Sequence, residues 1–160
     1  MGAIVAALAC LCPVAVRAAD VDLLAPEQAF RFSARALDDR TLEARFTIAD
    51  GYYLYRDKLK FTVMPDGAVL GLPDLPAGRI KTDEFFGKVE TYRGLLVVKL
   101  PLSGAAAGKA VVLAADSQGC ADVGVCYPPT LQKLTLALPA QGTGPGPLVD
   151  ASPPKKSWFK

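Results

Sequence analysis

A strict alternation of polar and apolar residues runs through the first part of this chain and limits the folds that it can adopt. From Thr41 to Ile48 every second residue is apolar, and the residues from Phe30 to Ala36 show the same pattern just before. A period of two places all the apolar side chains on one face of an extended strand, whereas a helix needs a period near 3.6. The intervening residues 37–40 include two aspartates, which favour a turn. The two runs are therefore predicted to pair as a hairpin.

Further short apolar runs follow along the chain, separated by Gly, Pro and Asp. The additional candidate strands are Leu59 to Val63, Val89 to Arg93, Leu95 to Leu100, Ala110 to Ala115 and Leu131 to Leu138. No window of the sequence sustains an apolar repeat at helical spacing. Many short strands with turns between them predict an all-β fold, an immunoglobulin-like antiparallel β-sandwich. Cys120 and Cys126 are too close in sequence to form the disulfide that joins the two sheets of antibody domains.

The two ends of the chain differ in composition from its body. Residues 1–18 contain an apolar run that is too short to span a membrane and ends at Val16-Arg17-Ala18, which fits a signal peptidase site. Ala7 to Cys10 faintly resembles a lipoprotein cleavage box, although the apolar run before it is very short. We interpret residues 1–18 as a signal peptide, 19–138 as one folded domain and 139–160 as a Pro/Gly-rich linker. Export from the cytoplasm would permit disulfide chemistry in the domain.

The chain contains no histidine, which excludes several kinds of site. Cys–His and Ser–His nucleophiles and His-based metal sites all require imidazole. With 18 basic and 16 acidic residues, the chain also lacks the charge of a nucleic-acid-binding protein. Cys10 and Cys12 lie in the predicted signal peptide, so Cys120 and Cys126 remain in the mature domain. Two thiols offer too few soft ligands for a metal, and we expect no metal and no cofactor beyond a disulfide.

Cys120 and Cys126 could serve in catalysis or in structure. Thiol–disulfide exchange requires an attacking thiolate and a second thiol that resolves the mixed disulfide, and a close pair supplies both. The alternative is a structural disulfide, whose ring of about seven residues would contribute only about 2.4 kcal/mol in the chain-entropy model. A domain of this size scarcely requires that stabilisation. The loop between the cysteines contains no Lys or Arg, and Asp122 is acidic. We therefore expect a free thiol that reacts well only when a partner has docked.

Four separated motifs in this sequence together resemble one known family. They are Asp50-Gly51-Tyr52-Tyr53-Leu54-Tyr55-Arg56, Asp83-Glu84-Phe85-Phe86-Gly87-Lys88, Glu90-Thr91-Tyr92-Arg93, and Gly119-Cys120-Ala121-Asp122 with Cys126-Tyr127-Pro128-Pro129. In this order they are similar to the N-terminal periplasmic domain of DsbD, the bacterial thiol:disulfide interchange family. The resemblance implies an immunoglobulin-like fold with the cysteine pair and a cap loop at one end. It also implies a periplasmic location, with the linker leading to a membrane domain that this chain does not include.

The same resemblance implies an activity, a set of partners and roles for individual residues. The chain would be the N-terminal domain of a protein-disulfide reductase, with Cys126 forming the mixed disulfide and Cys120 resolving it. Electrons would come from a thioredoxin-like domain and pass to periplasmic disulfide isomerases and to a cytochrome c maturation thioredoxin. The cap loop and partner-binding segment would be Asp83, Glu84, Phe85, Phe86 and Gly87, with Phe85 as the aromatic shield. The residues near the active site would be Tyr53, Tyr55, Asp122 and Tyr127.

Two other interpretations stay open from the sequence. The chain could be a non-catalytic immunoglobulin-like binding or assembly module of the periplasm with a structural disulfide, or a stand-alone carrier of reductant fed by a separate membrane protein. Read without the resemblance, the segment from Asp83 to Gly87 is an acidic loop with two aromatic residues in the core, and Tyr53 and Tyr55 are strand residues with one buried face.

Overall fold

A computed structural model describes residues 22–65, 67–84 and 86–151 of the chain. Apart from a four-residue helix and one 3-10 turn, its regular structure is all strand. The elements are α1 (Pro26–Ala29), β1 (Phe30–Ala36), β2 (Thr41–Ile48), β3 (Tyr52–Tyr55), the 3-10 turn (Arg56–Lys58), β4 (Lys60–Met64), β5 (Val69–Leu70), β6 (Arg79–Asp83), β7 (Gly87–Tyr92), β8 (Leu95–Ser103), β9 (Ala110–Ser117), β10 (Gly119–Ala121), β11 (Val125–Cys126), β12 (Thr130–Ala137) and β13 (Val149–Asp150).

The strands form three antiparallel sheets. Two sheets have five strands each, in the orders β13-β1-β2-β8-β5 and β11-β10-β3-β7-β6, and the third has the order β12-β9-β4. The predicted hairpin is present, since β1 and β2 pair from Phe30 with Ile48 to Ala36 with Leu42. The structure thus confirms the all-β, immunoglobulin-like antiparallel sandwich predicted from the alternation.

The main core is built from the alternating apolar residues of β1, β2, β8 and β9. Phe32 and Phe46 are fully buried and their ring centroids lie 5.1 Å apart. Leu42, Leu100 and Leu113 are also fully buried in the same cluster. Phe32, Leu42 and Phe46 come from the predicted apolar faces of β1 and β2, so their burial follows directly from the period of two.

Strand β3 was not predicted from the alternation, because all four of its residues are buried. It lies between β10 and β7 in its sheet, and both of its faces are covered. Tyr52 and Leu54 belong to the main core, whereas Tyr53 and Tyr55 face a smaller cluster that contains Cys120. This strand therefore separates the stabilising core from the part of the molecule that holds the cysteines.

The segment interpreted as a linker partly packs on the domain. Gly146 donates a hydrogen bond from its backbone N–H to the Ala36 carbonyl at 2.8 Å, and β13 pairs with β1 at the edge of the first sheet. Composition did not predict this strand. The predicted signal peptide, residues 1–18, and the terminal residues 152–160 lie outside the described residues. Within the described part of the chain, the helices are too short to cross a bilayer.

Candidate functional site

The hairpin formed by β10 and β11 brings the two cysteines together. Cys120 and Cys126 are directly opposed across the two strands, with Cα atoms 3.9 Å apart, and their sulfurs form a disulfide. The turn between the strands is closed by a hydrogen bond from the Gly124 N–H to the Ala121 carbonyl at 3.0 Å. Gly124 has φ of 89°, a left-handed conformation that favours glycine and is common at the third position of such a turn.

The two cysteines differ in their access to solvent. Strand β10 lies between β3 and β11, and Cys120 is 0% exposed. Strand β11 is the edge of the sheet, and Cys126 is only partly buried. A sulfur that approaches from solvent therefore meets Cys126 before Cys120.

A hydrogen-bonded network of two hydroxyl groups and one carboxyl group lies beside the buried Cys120 sulfur. The hydroxyls of Tyr53 and Tyr55 both donate to Oδ2 of Asp83, each at 2.8 Å. The Tyr55 hydroxyl oxygen also lies 3.1 Å from the Cys120 sulfur and 3.9 Å from the Cys126 sulfur. Because the single Tyr55 proton points to Asp83, the Tyr55 oxygen is oriented to accept a hydrogen bond from a Cys120 thiol.

The environment keeps this tyrosine protonated. Burial, together with the neighbouring Tyr53 and Asp83, raises the pKa of Tyr55 far above its ordinary value. At neutral pH its hydroxyl therefore stays protonated beside the sulfur. The Asp83 side chain is 2% exposed, and Lys81 Nζ lies 3.8 Å from its Oδ2.

Two basic side chains on or directly after neighbouring strands, outside the loop between the cysteines, lie next to the site. Lys81 Nζ lies 3.8 Å from the centroid of the Tyr53 ring, and the Arg93 guanidinium carbon lies 5.1 Å from the same centroid. Lys81 is on β6 and Arg93 follows β7 directly. The loop sequence alone showed no cation near the pair, and only strand pairing within the sheet reveals these two.

The predicted cap is the turn between β6 and β7. Asp83 and Gly87 pair across the hairpin, and Gly87 has φ of 70°. The Phe86 ring meets the Tyr55 ring edge to face at 5.1 Å, while its own side chain stays 43% exposed. Glu84 is exposed. Phe85, the predicted shield, lies outside the described residues, so its role stays a prediction.

The predicted cap also forms a hydrogen bond with Asp83, the carboxyl group that Tyr53 and Tyr55 share. The Phe86 backbone N–H donates to Oδ1 of Asp83 at 3.3 Å, and Lys58 Nζ lies 4.8 Å from the Phe86 ring centroid. One carboxyl group thus accepts hydrogen bonds from Tyr53, from Tyr55 and from the backbone of the predicted cap. Sequence reasoning named Phe86 only as a member of the cap, and the spacing did not reveal its contact with Tyr55.

The remaining two predicted residues are Asp122, between the two cysteines in sequence, and Tyr127, directly after the second. Asp122 is in the hairpin turn, where the hydrogen bond from Arg93 lowers the pKa of its carboxyl group. Tyr127 packs with Phe30 and Tyr52 of the main core, at 5.7 and 6.2 Å between ring centroids. Burial and the neighbouring Tyr52 raise the pKa of Tyr127 to about 12. Tyr53 and Tyr55 therefore join the cysteine cluster, whereas Tyr127 belongs to the main core.

Among the described residues, no group of three or more Cys, Asp or Glu side chains is placed to hold a metal ion. The chemistry that the arrangement offers is that of its sulfur pair and the adjoining hydroxyl and carboxyl groups.

Comparisons with known proteins agree with this geometry. A family model described as "Thiol:disulfide interchange protein DsbD, N-terminal" matches residues 20–138. Over 146 residues the chain is 43% identical to the thiol:disulfide interchange protein DsbD of Ralstonia nicotianae, an alignment that covers 91% of this chain and 23% of that protein. The chain thus spans about a quarter of the length of this relative.

Two solved structures from Neisseria meningitidis are similar to this one. The reduced DsbD N-terminal domain matches with a TM-score of 0.69 and 36% identity, covering 82% of this chain and 97% of that one. A DsbD N-terminal domain in complex with the PilB N-terminal domain matches with a TM-score of 0.60 and 39% identity, covering 71% and 87% of the respective chains.

Proposed function

This chain belongs to the family of DsbD N-terminal domains, and on that premise we propose that it exchanges disulfides with protein partners through Cys120 and Cys126. One observation carries the proposal. A partly exposed sulfur is bonded to a buried one that lies 3.1 Å from a protonated hydroxyl. A structural disulfide has no need of a hydroxyl and carboxyl network beside one sulfur, whereas an exchanging pair needs a proton carrier for each thiol that it forms.

The difference in exposure between the two sulfurs supports one order of the steps. In the direction that loads the domain, a partner thiolate attacks the Cys126 sulfur, the Cys120–Cys126 bond breaks and Cys120 leaves as a thiolate. The second partner thiol then attacks the partner sulfur of the mixed disulfide and releases Cys126. The partner becomes a disulfide and this domain a dithiol, so two electrons and two protons pass to the domain. The reverse sequence reduces the disulfide of a second partner.

Tyr55 is placed to move the proton of Cys120. Its oxygen lies between the Cys120 sulfur and the Asp83 carboxyl group. When Cys120 attacks the mixed disulfide, its proton can pass to the Tyr55 oxygen while the Tyr55 proton passes to the Asp83 carboxylate. In the loading direction the transfer runs in reverse, and a proton taken up by Asp83 from solvent passes through Tyr55 to the leaving Cys120 sulfur. Cys126 is nearer to solvent and can exchange its proton there.

We extend the proposal to partners and location by family resemblance. The domain would receive electrons from a thioredoxin-like domain and pass them to disulfide isomerases and to a cytochrome c maturation thioredoxin, all in the periplasm. The Neisseria meningitidis DsbD N-terminal domain solved with the PilB N-terminal domain supports recognition of other protein domains by this fold. The second candidate function, a non-catalytic module with a structural disulfide, predicts a reduction potential below about −300 mV.

Trapping of a mixed disulfide tests the proposed order. The Cys120→Ala variant should hold a thioredoxin-fold partner, itself lacking its second active-site cysteine, on Cys126 as a stable covalent complex, because neither protein then has a thiol to resolve it. Non-reducing gel electrophoresis and mass spectrometry measure the complex. The Cys126→Ala variant is the matched control and should trap little partner, since Cys120 is buried. Trapping by Cys126→Ala alone would reverse the two roles, and trapping by neither variant would exclude exchange.

A further inference from the structure

An ion pair holds the turn between the two cysteines from the outside. Arg93 donates to Asp122 with both guanidinium ends, from Nη1 to Oδ2 at 2.9 Å and from Nη2 to Oδ1 at 2.5 Å. Asp122 is the first residue of the turn that joins β10 to β11. Paired N–H donors that match both carboxylate oxygens fix orientation as well as distance. The side chains are 37% and 46% exposed, so the contact lies at the rim of the site.

The same arginine is tied to the strand that carries the active-site tyrosines. Its Nη1 donates to the Tyr52 carbonyl at 3.2 Å, and its guanidinium lies over the Tyr53 ring at 5.1 Å. The turn is bound to this region a second time, because the Asp122 N–H donates to the Gly51 carbonyl at 2.7 Å. Arg93 thus connects β3, β7 and the cysteine hairpin.

When the disulfide is open, the outer cysteine is held on one side by Tyr127, which packs on the main core, and on the other side by the turn. Strand β11 is two residues long, lies at the sheet edge and pairs with β10. The hydrogen bond from the Tyr127 N–H to the Gly119 carbonyl, 2.9 Å long, continues that pairing by one step. A two-residue edge strand has weak pairing of its own, so the ion pair at the turn adds to what keeps β11 against β10 in the dithiol.

We propose that Arg93 is a positioning residue that keeps the Cys126 thiol opposite the Cys120 thiol in the reduced domain. The inference rests on the proposed exchange function. Closure of the disulfide transfers two electrons and two protons to an acceptor, and its equilibrium constant rises with the effective concentration of one thiol at the other. When Arg93 holds the hairpin, the effective concentration of the Cys126 thiol at the Cys120 thiol is higher than when the two strands are free to separate. Loss of the contact should therefore make the disulfide easier to reduce.

The expected effect is small but measurable. An ion pair of this exposure typically contributes enough to change an equilibrium constant about two- to fivefold. Added salt screens such a contact, so the difference between wild type and variant should shrink at high ionic strength. The thermal midpoint alone would not distinguish positioning from a general structural role, whereas the equilibrium constant for disulfide closure does.

The experiment equilibrates the protein with graded mixtures of reduced and oxidised dithiothreitol, approached from both directions. Arg93→Gln and Asp122→Asn should each lower the equilibrium constant for closure about two- to fivefold, and the double variant should lower it no further. Arg93→Lys keeps the charge but not the paired donors, so its equilibrium constant for closure should lie between those of wild type and Arg93→Gln. The matched control is Arg31→Gln, which removes an ion pair to Asp150 of 2.9 Å on the other edge of the domain, and it should leave the constant unchanged.

The outcomes separate this inference from the function on which it rests. A wild-type disulfide that does not equilibrate with dithiothreitol would overturn the exchange function and the positioning role together. Normal wild-type exchange with unchanged constants in Arg93→Gln and Asp122→Asn would overturn only the positioning role. A shift in Arg93→Gln without one in Asp122→Asn would also overturn it, because Arg93 would then act through Tyr52 or Tyr53.

Discussion

At the residue scale, the proposed exchange mechanism relies on one hydroxyl. Tyr55 is fully buried, yet its oxygen touches both the Cys120 sulfur and the Asp83 carboxyl group. Burial raises its pKa, so the proton stays on the oxygen across the neutral range. Tyr53 shares the carboxyl group without a comparable contact to sulfur. The two tyrosines therefore have different expected roles, although the sequence presents them as equivalent.

We expect Tyr55→Phe to slow exchange with a protein partner by about tenfold to a hundredfold. The upper figure is the low end of the usual rate contribution of general acid–base catalysis. The ring remains and Asp83 keeps its bond from Tyr53, so the free energy of unfolding should fall by only about 1 kcal/mol. Stopped-flow fluorescence and urea unfolding measure the two quantities.

Tyr92→Phe is the control for this variant, because the Tyr92 hydroxyl bonds Arg56 and the Pro76 carbonyl, which lie outside the cysteine cluster. It should alter stability by a similar amount and leave the exchange rate unchanged. Equal rates in Tyr55→Phe and wild type would show that Cys120 exchanges its proton by another route.

At the element scale, the parts of the fold that could be predicted from the sequence are those with one buried face. Strands β1 and β2 show their alternation because one side of their sheet meets the core, and their hairpin was predicted correctly. Strand β3 is buried on both sides and shows no alternation, and β10 and β11 are too short for any periodic signal.

The candidate site could be predicted only where sequence motifs carried it. The pairing of Cys120 with Cys126 and the place of Asp83 at the start of the cap were named in advance. The contact of Phe86 with Tyr55 and the approach of Lys81 and Arg93 depend on which strands are neighbours in a sheet. Strand order is set by long-range packing, which one sequence does not display.

The cap hairpin gives a prediction of its own. Phe86→Ala should increase the alkylation rate of the reduced protein several-fold, because the ring covers Tyr55 beside the sulfurs. Phe85→Ala, tested in parallel, examines the shield predicted from the family. Rates with iodoacetamide on reduced protein measure both.

Ile80→Ala is the control on the same hairpin, since Ile80 is 62% exposed on β6. It should leave the rate at the wild-type value. An unchanged rate in both phenylalanine variants would mean that the cap does not protect the thiols.

At the scale of the whole molecule, the main core and the cysteine cluster are distinct groups of side chains. The main core gathers the buried residues of β1, β2, β8, β9 and β12, whereas the small cluster holds Tyr53, Tyr55 and Cys120, with Cys126 and Val89 packed against it. Changes at the sulfurs therefore leave most of the buried apolar area untouched.

Reduction of the disulfide should accordingly lower the free energy of unfolding by no more than about 2.4 kcal/mol, the chain-entropy value for a ring this short. The reduced domain should stay folded at 25 °C. Urea unfolding of the oxidised and reduced forms, followed by circular dichroism, measures the difference. The Cys120→Ala/Cys126→Ala variant should match the reduced form, and global unfolding on reduction would favour a structural disulfide.

The cross-strand register of Cys120 and Cys126 also determines which sequence changes the hairpin can absorb. Side chains alternate between the two faces of a strand, so one residue inserted between Cys120 and Ala121 or between Val125 and Cys126 would place the sulfurs on opposite faces or force a bulge. Val123, at the tip, is 60% exposed, and its replacement disturbs little. The turn is therefore free to vary at Val123, whereas Asp122 with its ion pair, Gly124 with its left-handed conformation and the register of the two strands are constrained.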